Sequence, residues 1–487
     1  MTDKGKSTSP KQRAVSGVIW ASLQNLSQAV ITFIIGILLA RILMPADFGL
    51  IGMLFIFIVV SSAFVESGFG AALVQKQNND QIDYNTVFLF NLITSVFFYC
   101  LLFLAAPLIS SFYKQPHLTL LLRVLAFKLI IHAFTLVPNT ILYKNLAFRQ
   151  QTIANVSSIS ISGIIAVYAA FNGFGVWSLV IQQLLSALLL IPFLYWFCPW
   201  KPSKAFSISR LRPLFSYGSK LLGTSLLQRF FDNFYYLIIG RFYPAASLGY
   251  YSRAQQLEQA PTRILSWSVS QVTFPLFSEI QHDKKRLKQA ARKAIALGAF
   301  VVFPALAGLA AISEPFVLVV LTDKWLPAVP YICLFCIIGM GTPLQIMNQN
   351  VLRSTGRSDL FLYVEIVSKI LLLAFIFVTF RYGILIILFG QVLHTFIMWA
   401  VLAYISGKII DYSPWRQFMD LAPIICISIL MAATAYGIGT VLPSALLKLC
   451  TMPIVGVIIY LLLAKIFRLE IFHTALKILK DKMGYNT

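Results

Sequence analysis

The sequence predicts an all-α polytopic membrane protein with about 14 transmembrane helices. Of its 487 residues, 59% are hydrophobic and only 11% are charged. Long apolar stretches recur from Ser16 to Phe467, and a bilayer core needs roughly 20 apolar residues per helical span. The connectors between them are short, so no soluble domain of useful size is left.

The apolar pattern divides into fourteen predicted spans. They are 15–40, 48–69, 86–111, 118–141, 152–171, 174–196, 212–240, 247–281, 288–322, 328–352, 360–380, 382–405, 417–440 and 446–467. After the last span, apolar residues recur every three or four positions opposite lysines, which predicts an amphipathic helix lying on the anionic inner leaflet.

The basic residues predict the orientation of these spans. With the N-terminus in the cytoplasm, the inside segments hold 26 Lys and Arg residues and the outside loops hold 5. Such an excess is typical of cytoplasmic loops, so both termini are expected in the cytoplasm. The net charge of +22 is therefore topological, and no nucleic-acid partner is expected.

An internal repeat predicts how the spans are grouped. Arg41, Pro45 and Gly49 at the end of the first span correspond to Arg241, Pro244 and Gly249 at the end of the seventh. An offset of six spans gives a parallel repeat, and hence two six-helix bundles around a central cleft. The predicted parts are a cytoplasmic tail (1–14), an N-terminal six-helix bundle (15–196), a cytoplasmic linker (197–211), a C-terminal six-helix bundle (212–405), two additional transmembrane helices (406–467) and an amphipathic cytoplasmic tail (468–487).

Signatures of catalysis are absent from the sequence. The segment from Lys4 to Ser7 resembles the end of a phosphate-binding loop but lacks its leading glycine and strand. Cys333 and Cys336 form a CxxC inside an apolar span, where packing is favoured over a redox or zinc role. We expect no enzyme, no catalytic residues, no cofactor and no metal site.

Polar residues inside the spans indicate a binding cavity. The eighth span carries basic and amide residues on one helical face, which suits a cavity that receives an anion, although the same residues could serve neighbouring helices or the interface. The seventh and first spans carry comparable faces. The candidate substrate-binding residues are Lys220, Arg253, Gln256, Gln259, Arg263, Gln24 and Gln228.

Three carboxylates within or beside the spans are candidates for coupling transport to a proton or sodium gradient: Glu66, Asp232 and Glu365. Two of them have a structural alternative, because Arg229 precedes Asp232 by three residues and Lys369 follows Glu365 by four. For Asp232, pairing with Arg229 is slightly favoured over a role in coupling. The tenth span also has an amide cluster, residues 345–350, that would either line the cleft or join helices.

A set of motifs occurs in an order that resembles a known family. The motifs are Glu66–Gln75, Leu248–Ala254, Phe274–Ser278, Glu314–Pro315 with Lys324–Ala328, and Gly356–Asp359. Together they resemble the Wzx-type polysaccharide transporters, the lipid-linked oligosaccharide flippases of the MOP superfamily. The resemblance covers about residues 12–468.

The resemblance implies a function that composition alone does not. Members flip an undecaprenyl-diphosphate-linked oligosaccharide from the inner to the outer leaflet of the bacterial inner membrane, for O-antigen, capsule or exopolysaccharide synthesis. Two bundles alternate access to a cationic cavity, and the diphosphate accounts for basic residues there. Membrane lipids and the polysaccharide assembly machinery are the other implied partners.

Three other functions stay open at this point. A drug/cation antiporter of the same superfamily should have an acidic and aromatic cavity, whereas this one is basic. A membrane glycosyltransferase or polymerase should have a large outside loop with acidic residues, and the outside loops here are short. The third alternative is a scaffold or scramblase without active transport.

Overall fold

The computed structural model describes residues 10–66, 68–469 and 471–472. Within these, the side chains of residues 10–19, 21, 220, 263–268 and 271 are not described. All regular elements of the described ranges are helical. The chain divides into two compact units, Met1–Gly249 (unit 1) and Tyr250–Thr487 (unit 2).

In its described residues, unit 1 contains ten helices and the start of an eleventh. They are α1 (Pro10–Ile42), α2 (Pro45–Glu66), α3 (Phe69–Gln75), α4 (Gln81–Tyr113), α5 (Leu118–Leu125), α6 (Phe127–Lys144), α7 (Phe148–Phe171), α8 (Val176–Phe197), α9 (Ile208–Asp232), α10 (Phe234–Phe242) and the first turn of α11 (Ala245–Glu279).

The described part of unit 2 contains the rest of α11 and seven further helices. They are α12 (Lys284–Ala311), α13 (Ser313–Phe316), α14 (Val329–Ser354), α15 (Ser358–Thr379), α16 (Ile384–Ile410), α17 (Pro414–Val441) and α18 (Ala445–Ile466). A π-helical turn (Val317–Leu321) and a 3-10 helix (Asp323–Ala328) join α13 to α14.

Twelve segments of the described residues are long and apolar enough to cross a bilayer, which confirms an all-α polytopic membrane protein. Three of them comprise two elements each: Pro45–Gln75 holds α2 and α3, Leu118–Lys144 holds α5 and α6, and Asp323–Ser354 holds the 3-10 helix and α14. The predicted seventh and eighth spans correspond to α9 with α10 and to α11, which fall outside the twelve because α9 and α11 are less apolar. The predicted total of about 14 is therefore approximate.

Several predicted boundaries differ from the observed ones. The fourth span is assigned as two helices, α5 and α6, but Ala126 between them keeps helical angles and Leu118–Lys144 forms one candidate span. The ninth span was expected to reach residue 322, but α12 ends at Ala311 and a short helix and π turn follow. The predicted tail at 468–487 lies mostly outside the described residues. The division into a linker at 197–211 and two bundles stays a prediction.

The break between α2 and α3 depends on Gly68. Its φ of 68° is in the left-handed region, which favours glycine. A Cβ atom on Gly68 would lie 2.8 Å from the carbonyl oxygen of Gly218 on α9. The break therefore allows α9 to pack closely where α2 ends and α3 begins.

Unit 2 is held by an apolar core and a buried amide network. The core joins α12, α14, α17 and α18. Beside it, Asn348 and Gln417 exchange hydrogen bonds of 3.1 and 3.2 Å, and Ser406 donates to the Asn348 Oδ1 at 2.6 Å. Asn350 donates to Ser270 and Thr273 at 3.1 Å. These two amides of the 345–350 cluster thus join helices, one of the two roles that the sequence left open.

The two copies of the repeat contact each other in unit 1. A Cβ atom on Gly49 of α2 would collide with the carbonyl oxygen of Ala245, and one on Gly249 would collide with the carbonyl oxygen of Pro45. Each glycine therefore lies directly against the backbone at the start of the other copy's helix. The Arg/Pro/Gly repeat marks a reciprocal close approach of two helix starts.

Substituting Gly49 with Ala should destabilise the protein, because the added methyl group meets backbone that cannot rotate away. We expect the free energy of unfolding to fall by about 2 kcal/mol or more, which thermal unfolding of the purified protein in detergent measures. Gly437→Ala is the control, since no atom lies within 4 Å of its Cβ position. Equal melting temperatures for the two variants would contradict the close approach.

Candidate functional site

Polar side chains from four helices meet inside the apolar part of unit 1. We call them the unit 1 polar cluster, and they are Ser62 and Glu66 of α2, Lys128 and His132 of α6, Gln183 of α8 and Arg229 of α9. Apart from α9, these helices belong to the segments that can cross a bilayer.

The cluster is centred on an ion pair between Arg229 and Glu66. The Arg229 Nη2 lies 2.5 Å from the Glu66 Oε2, and the Arg229 Nη1 lies 3.4 Å from the Oε1. The same Nη1 donates to the Ser62 hydroxyl at 3.1 Å. Both charged side chains are about one third exposed, at 33% and 36%. The pair is therefore bidentate and remains accessible from one side.

Two further basic groups lie on α6. The Nε2 of His132 is 4.0 Å from the Glu66 Oε1, and its Nδ1 has no hydrogen-bond partner among the described residues. One turn earlier, the Lys128 Nζ is 3.5 Å from the Gln183 Oε1. The described contacts of Lys128 include no carboxylate. The cluster thus holds two basic side chains of Arg and Lys, one carboxylate and one imidazole.

Helix breaks place the central ion pair. Glu66 is the last residue of α2, directly before the turn at Gly68. Arg229 lies one turn before Asn233, where α9 gives way to α10, and the Asn233 side chain donates to the Arg229 carbonyl at 2.7 Å. Both members of the ion pair therefore lie at or within one turn of a helix end.

This arrangement is suited to binding an anion. A guanidinium group binds carboxylate or phosphate through paired N–H donors, and in an apolar surrounding such a bond is stronger than in water. Glu66 neutralises Arg229 within the cluster, while Lys128 adds a positive charge that hydrogen-bonds an amide. An anion that enters the cluster would compete with Glu66 for Arg229.

The structure adds a distant partner for Arg229. Glu66, 163 residues away in the chain, contacts the Arg229 guanidinium. The sequence slightly favoured a pair between Arg229 and Asp232, three residues apart on one helix, and that pair stays a prediction. Asp232 is exposed at the end of α9.

Three of the predicted residues of α11 are described in unit 2. Arg253 is buried, with its guanidinium 5.8 Å from the centre of the Trp325 ring. It donates to the Gln256 Oε1 at 3.0 Å, so these two predicted residues do meet. Gln256 is exposed and Gln259 is half-buried. The helix backbone around Arg263 and Lys220 is described, but their side chains lie outside the described part.

The remaining predicted residues are apart from the cluster or beside it. Gln24 is half-buried on α1, and Gln228 is exposed on α9 next to Arg229. Glu365 of α15 lies 3.9 Å from the Lys369 Nζ and accepts a hydrogen bond of 3.4 Å from Gln349. Glu365 therefore has the i, i+4 partner that the sequence offered as its alternative.

The sequence indicated Glu66 and Arg229 as charges within or beside the spans but did not predict that they meet. It did not single out Ser62, His132 or Gln183 as site residues. The available signal was that each lies within an apolar span, where a polar side chain is costly without a partner. Among the described residues, no group of three or more His, Cys, Asp or Glu could hold a metal ion.

Comparison with known proteins gives a family match. The family model described as "Polysaccharide biosynthesis protein" matches residues 38–330, more than half of the chain. The chain is 29% identical over 366 residues to the teichuronic acid biosynthesis protein TuaB of Bacillus subtilis (strain 168), covering 74% of this chain and 75% of the relative.

Other relatives have related names. The succinoglycan biosynthesis transport protein ExoT of Rhizobium meliloti (strain 1021) is 27% identical, covering 66% of each chain. The lipopolysaccharide biosynthesis protein WzxC of Escherichia coli (strain K12) is 23% identical, covering 68% of each. The chain thus spans about two thirds to three quarters of the length of these relatives.

Solved structures establish the fold. The lipid II flippase MurJ in an inward closed conformation superposes with a TM-score of 0.74, at 14% identity, covering 92% of this chain and 98% of MurJ. An inward-facing multidrug resistance MATE transporter of the MOP superfamily gives a TM-score of 0.61, at 17% identity, covering 80% and 96%. At these identities the likeness concerns the fold alone, which this chain shares with MurJ and with the MATE transporter.

The Arg229–Glu66 pair should be energetically coupled. In a double-mutant cycle of Arg229→Gln and Glu66→Gln, we expect an interaction energy of roughly 1–3 kcal/mol, because each single change leaves a charge in apolar surroundings without its partner. Thermal unfolding in detergent measures it.

The matched control is the same cycle on Lys369→Gln and Glu365→Gln, a helical i, i+4 pair at 3.9 Å. Its coupling should be about 0.3–0.5 kcal/mol. A coupling for Arg229 and Glu66 no larger than this would contradict the central ion pair.

Proposed function

Because the chain belongs to the polysaccharide biosynthesis protein family, we propose that it is a flippase for an undecaprenyl-diphosphate-linked oligosaccharide. It moves this lipid from the inner to the outer leaflet of the bacterial inner membrane, for O-antigen, capsule or exopolysaccharide synthesis. The names of TuaB, ExoT and WzxC all refer to the biosynthesis of bacterial surface or secreted polysaccharides, and that of ExoT to transport.

The observation that carries the proposal is the unit 1 polar cluster, with Arg229 held by Glu66 and Lys128 nearby. A diphosphate brings two negative charges into the membrane, and paired N–H donors of an arginine together with a lysine ammonium would compensate them. When the diphosphate binds Arg229, it displaces Glu66, and the freed carboxylate then takes up a cation.

This exchange gives a route for ion coupling. When a carboxylate inside the membrane loses its arginine partner, the binding of a proton or a sodium ion to it becomes favourable, because an unpaired charge is costly there. His132, 4.0 Å from Glu66, is placed to receive or supply the proton. Asp232 and Glu365 remain weaker candidates for coupling, the latter because Lys369 already lies near it.

The rest of the pathway is proposed from the repeat. Two six-helix bundles alternate access to a central cleft, and residues of α1, α9 and α11 line it. The proposed lining residues are Gln24, Lys220, Gln228, Arg253, Gln256, Gln259 and Arg263. Both termini lie in the cytoplasm, the protein acts as a transporter rather than an enzyme, and it contacts the polysaccharide assembly machinery.

The alternative is a drug/cation antiporter of the same superfamily, since a MATE transporter shares the fold. The cluster has two basic side chains, Arg229 and Lys128, and one carboxylate, and this excess of basic groups favours an anionic substrate over a cationic one.

Reconstituted protein should transport a fluorescent lipid-diphosphate oligosaccharide across proteoliposomes and leave a cationic dye untouched. Arg229→Gln should lower the initial rate at least tenfold, because the diphosphate loses its bidentate partner. Lys369→Gln, a cation removed elsewhere in a span, should keep the rate within twofold. Dye transport without lipid transport would instead favour the antiporter.

Lys220→Ala and Arg263→Ala test the proposed lining of the cleft in the same assay. At normal expression, each should reduce saccharide export, because each removes one of the cations proposed to compensate the diphosphate. Full export by both variants would show that α9 and α11 do not supply cavity cations.

The orientation is tested by tags at both ends. Both tags should be inaccessible to a membrane-impermeant probe added outside intact cells, since the 26 basic residues assigned to inside segments favour the cytoplasm. Labelling of both tags from the outside would reverse the proposed topology.

A further inference from the structure

Unit 2 contains a basic pocket that is separate from the unit 1 polar cluster. We call it the α12–α17 pocket: it lies between α12, α17 and the residues that follow α18, and its volume is about 550 Å³. Its polar lining consists of Gln289, Arg292, Lys293, Asp420 and Arg468.

The geometry of the two helices forms the walls. Gln289, Arg292 and Lys293 are spaced by three and four residues along α12, so they share one helical face. The opposite wall is mainly apolar and includes Met419 and Ile424 of α17. A pocket with one basic wall and one apolar wall matches a ligand that has an anionic head and an apolar body.

The carboxylate in the pocket is already engaged. The Asp420 Oδ1 lies 2.8 Å from the Arg292 Nη2, and the Tyr412 hydroxyl donates to the Oδ2 at 2.7 Å. Burial, together with the adjacent carboxylate, raises the pKa of the Tyr412 hydroxyl, so it stays protonated and keeps donating. Asp420 therefore orients Arg292. Lys293 and Arg468, the other two basic residues of the pocket, form no ion pair with a described residue.

The third wall is built by a sharp turn after α18. Arg468 has a φ of 50°, a left-handed conformation that is disfavoured for a residue other than glycine. The Leu469 N–H donates to the Ala464 carbonyl at 3.2 Å, which closes the turn. Leu469 and Ile471 then pack against the apolar core of unit 2, and this burial offsets the strained backbone. The turn brings the Arg468 guanidinium to the pocket.

The neighbouring surface indicates the level of the bilayer. Trp415 and Phe418 at the start of α17 stack with ring centres 5.8 Å apart, and Trp415 is 64% exposed. Exposed aromatic rings at the end of a span are typical of the membrane–water interface, where lipid headgroups lie. Ile466 and Phe467 at the end of α18 are also exposed. The pocket opens at headgroup depth beside apolar surface that can hold an acyl chain.

We propose that the α12–α17 pocket binds the phosphate headgroup of an anionic phospholipid of the surrounding leaflet. Lys293 and Arg468 hold the phosphate, Arg292 is oriented by Asp420 to assist, and the acyl chains lie along α17 and α18. Basic pockets between the ends of transmembrane helices recognise anionic headgroups in this way. The site is independent of the proposed transport of a lipid-linked saccharide.

Native mass spectrometry of the full-length protein tests the proposal by titration with phosphatidylglycerol and with phosphatidylcholine. The wild type should retain phosphatidylglycerol in preference to phosphatidylcholine. The double variant Lys293→Gln/Arg468→Gln should bind phosphatidylglycerol about tenfold more weakly or worse, because two charges near the phosphate are removed. The control Arg353→Gln/Lys408→Gln removes two charges from α14 and α16, outside the pocket, and should bind within twofold of the wild type.

Two results would overturn the proposal: equal phosphatidylglycerol affinity for the wild type and the pocket variant, or displacement of the lipid by glycerol 3-phosphate at equal concentration. The latter would assign the pocket to a free phosphate compound. If the double variant fails to elute as a single folded species, Gln289→Glu decides the question. It adds a carboxylate at the exposed rim and should lower the affinity for phosphatidylglycerol, and an unchanged affinity would reject the site.

Discussion

The cost of placing a charge in hydrocarbon governs this molecule. Each apolar segment folds as a helix, because a helix satisfies every backbone N–H and C=O within its own segment. The few charged side chains inside then need partners, and Arg229 with Glu66 is such a pair, joining α9 to the end of α2. That ion pair ties the α9 helix, which is less apolar than the twelve candidate spans, to the apolar bundle of unit 1.

The same constraint explains how structure and proposed function meet. A pair that is bidentate and one third exposed is stable at rest but open to competition from a stronger anion. A diphosphate offers more acceptor oxygens than a carboxylate, so it could replace Glu66 at Arg229. Lys128 and His132 on α6 lie close enough to this pair for the resulting change in charge to act on them electrostatically. Binding and ion coupling would then share one group of side chains.

Hydropathy predicted the helices well, because span length and apolar content are local properties of the chain. The repeat of Arg41–Gly49 and Arg241–Gly249 could also be recognised from the sequence. The structure adds that its glycines permit a reciprocal backbone contact. The contact between Arg229 and Glu66 was not predictable, since the two residues lie 163 positions apart in the chain.

The most direct test of the central claim is site-specific crosslinking to a lipid-diphosphate oligosaccharide. A photoreactive phenylalanine analogue in place of Gln183, beside Lys128, should capture the radiolabelled lipid. Excess lipid diphosphate should suppress capture, and lipid monophosphate should not. The same analogue in place of Phe377, whose side chain is exposed on α15, gives the background. Capture at Gln183 that equals this background, or that is insensitive to diphosphate, would contradict the account.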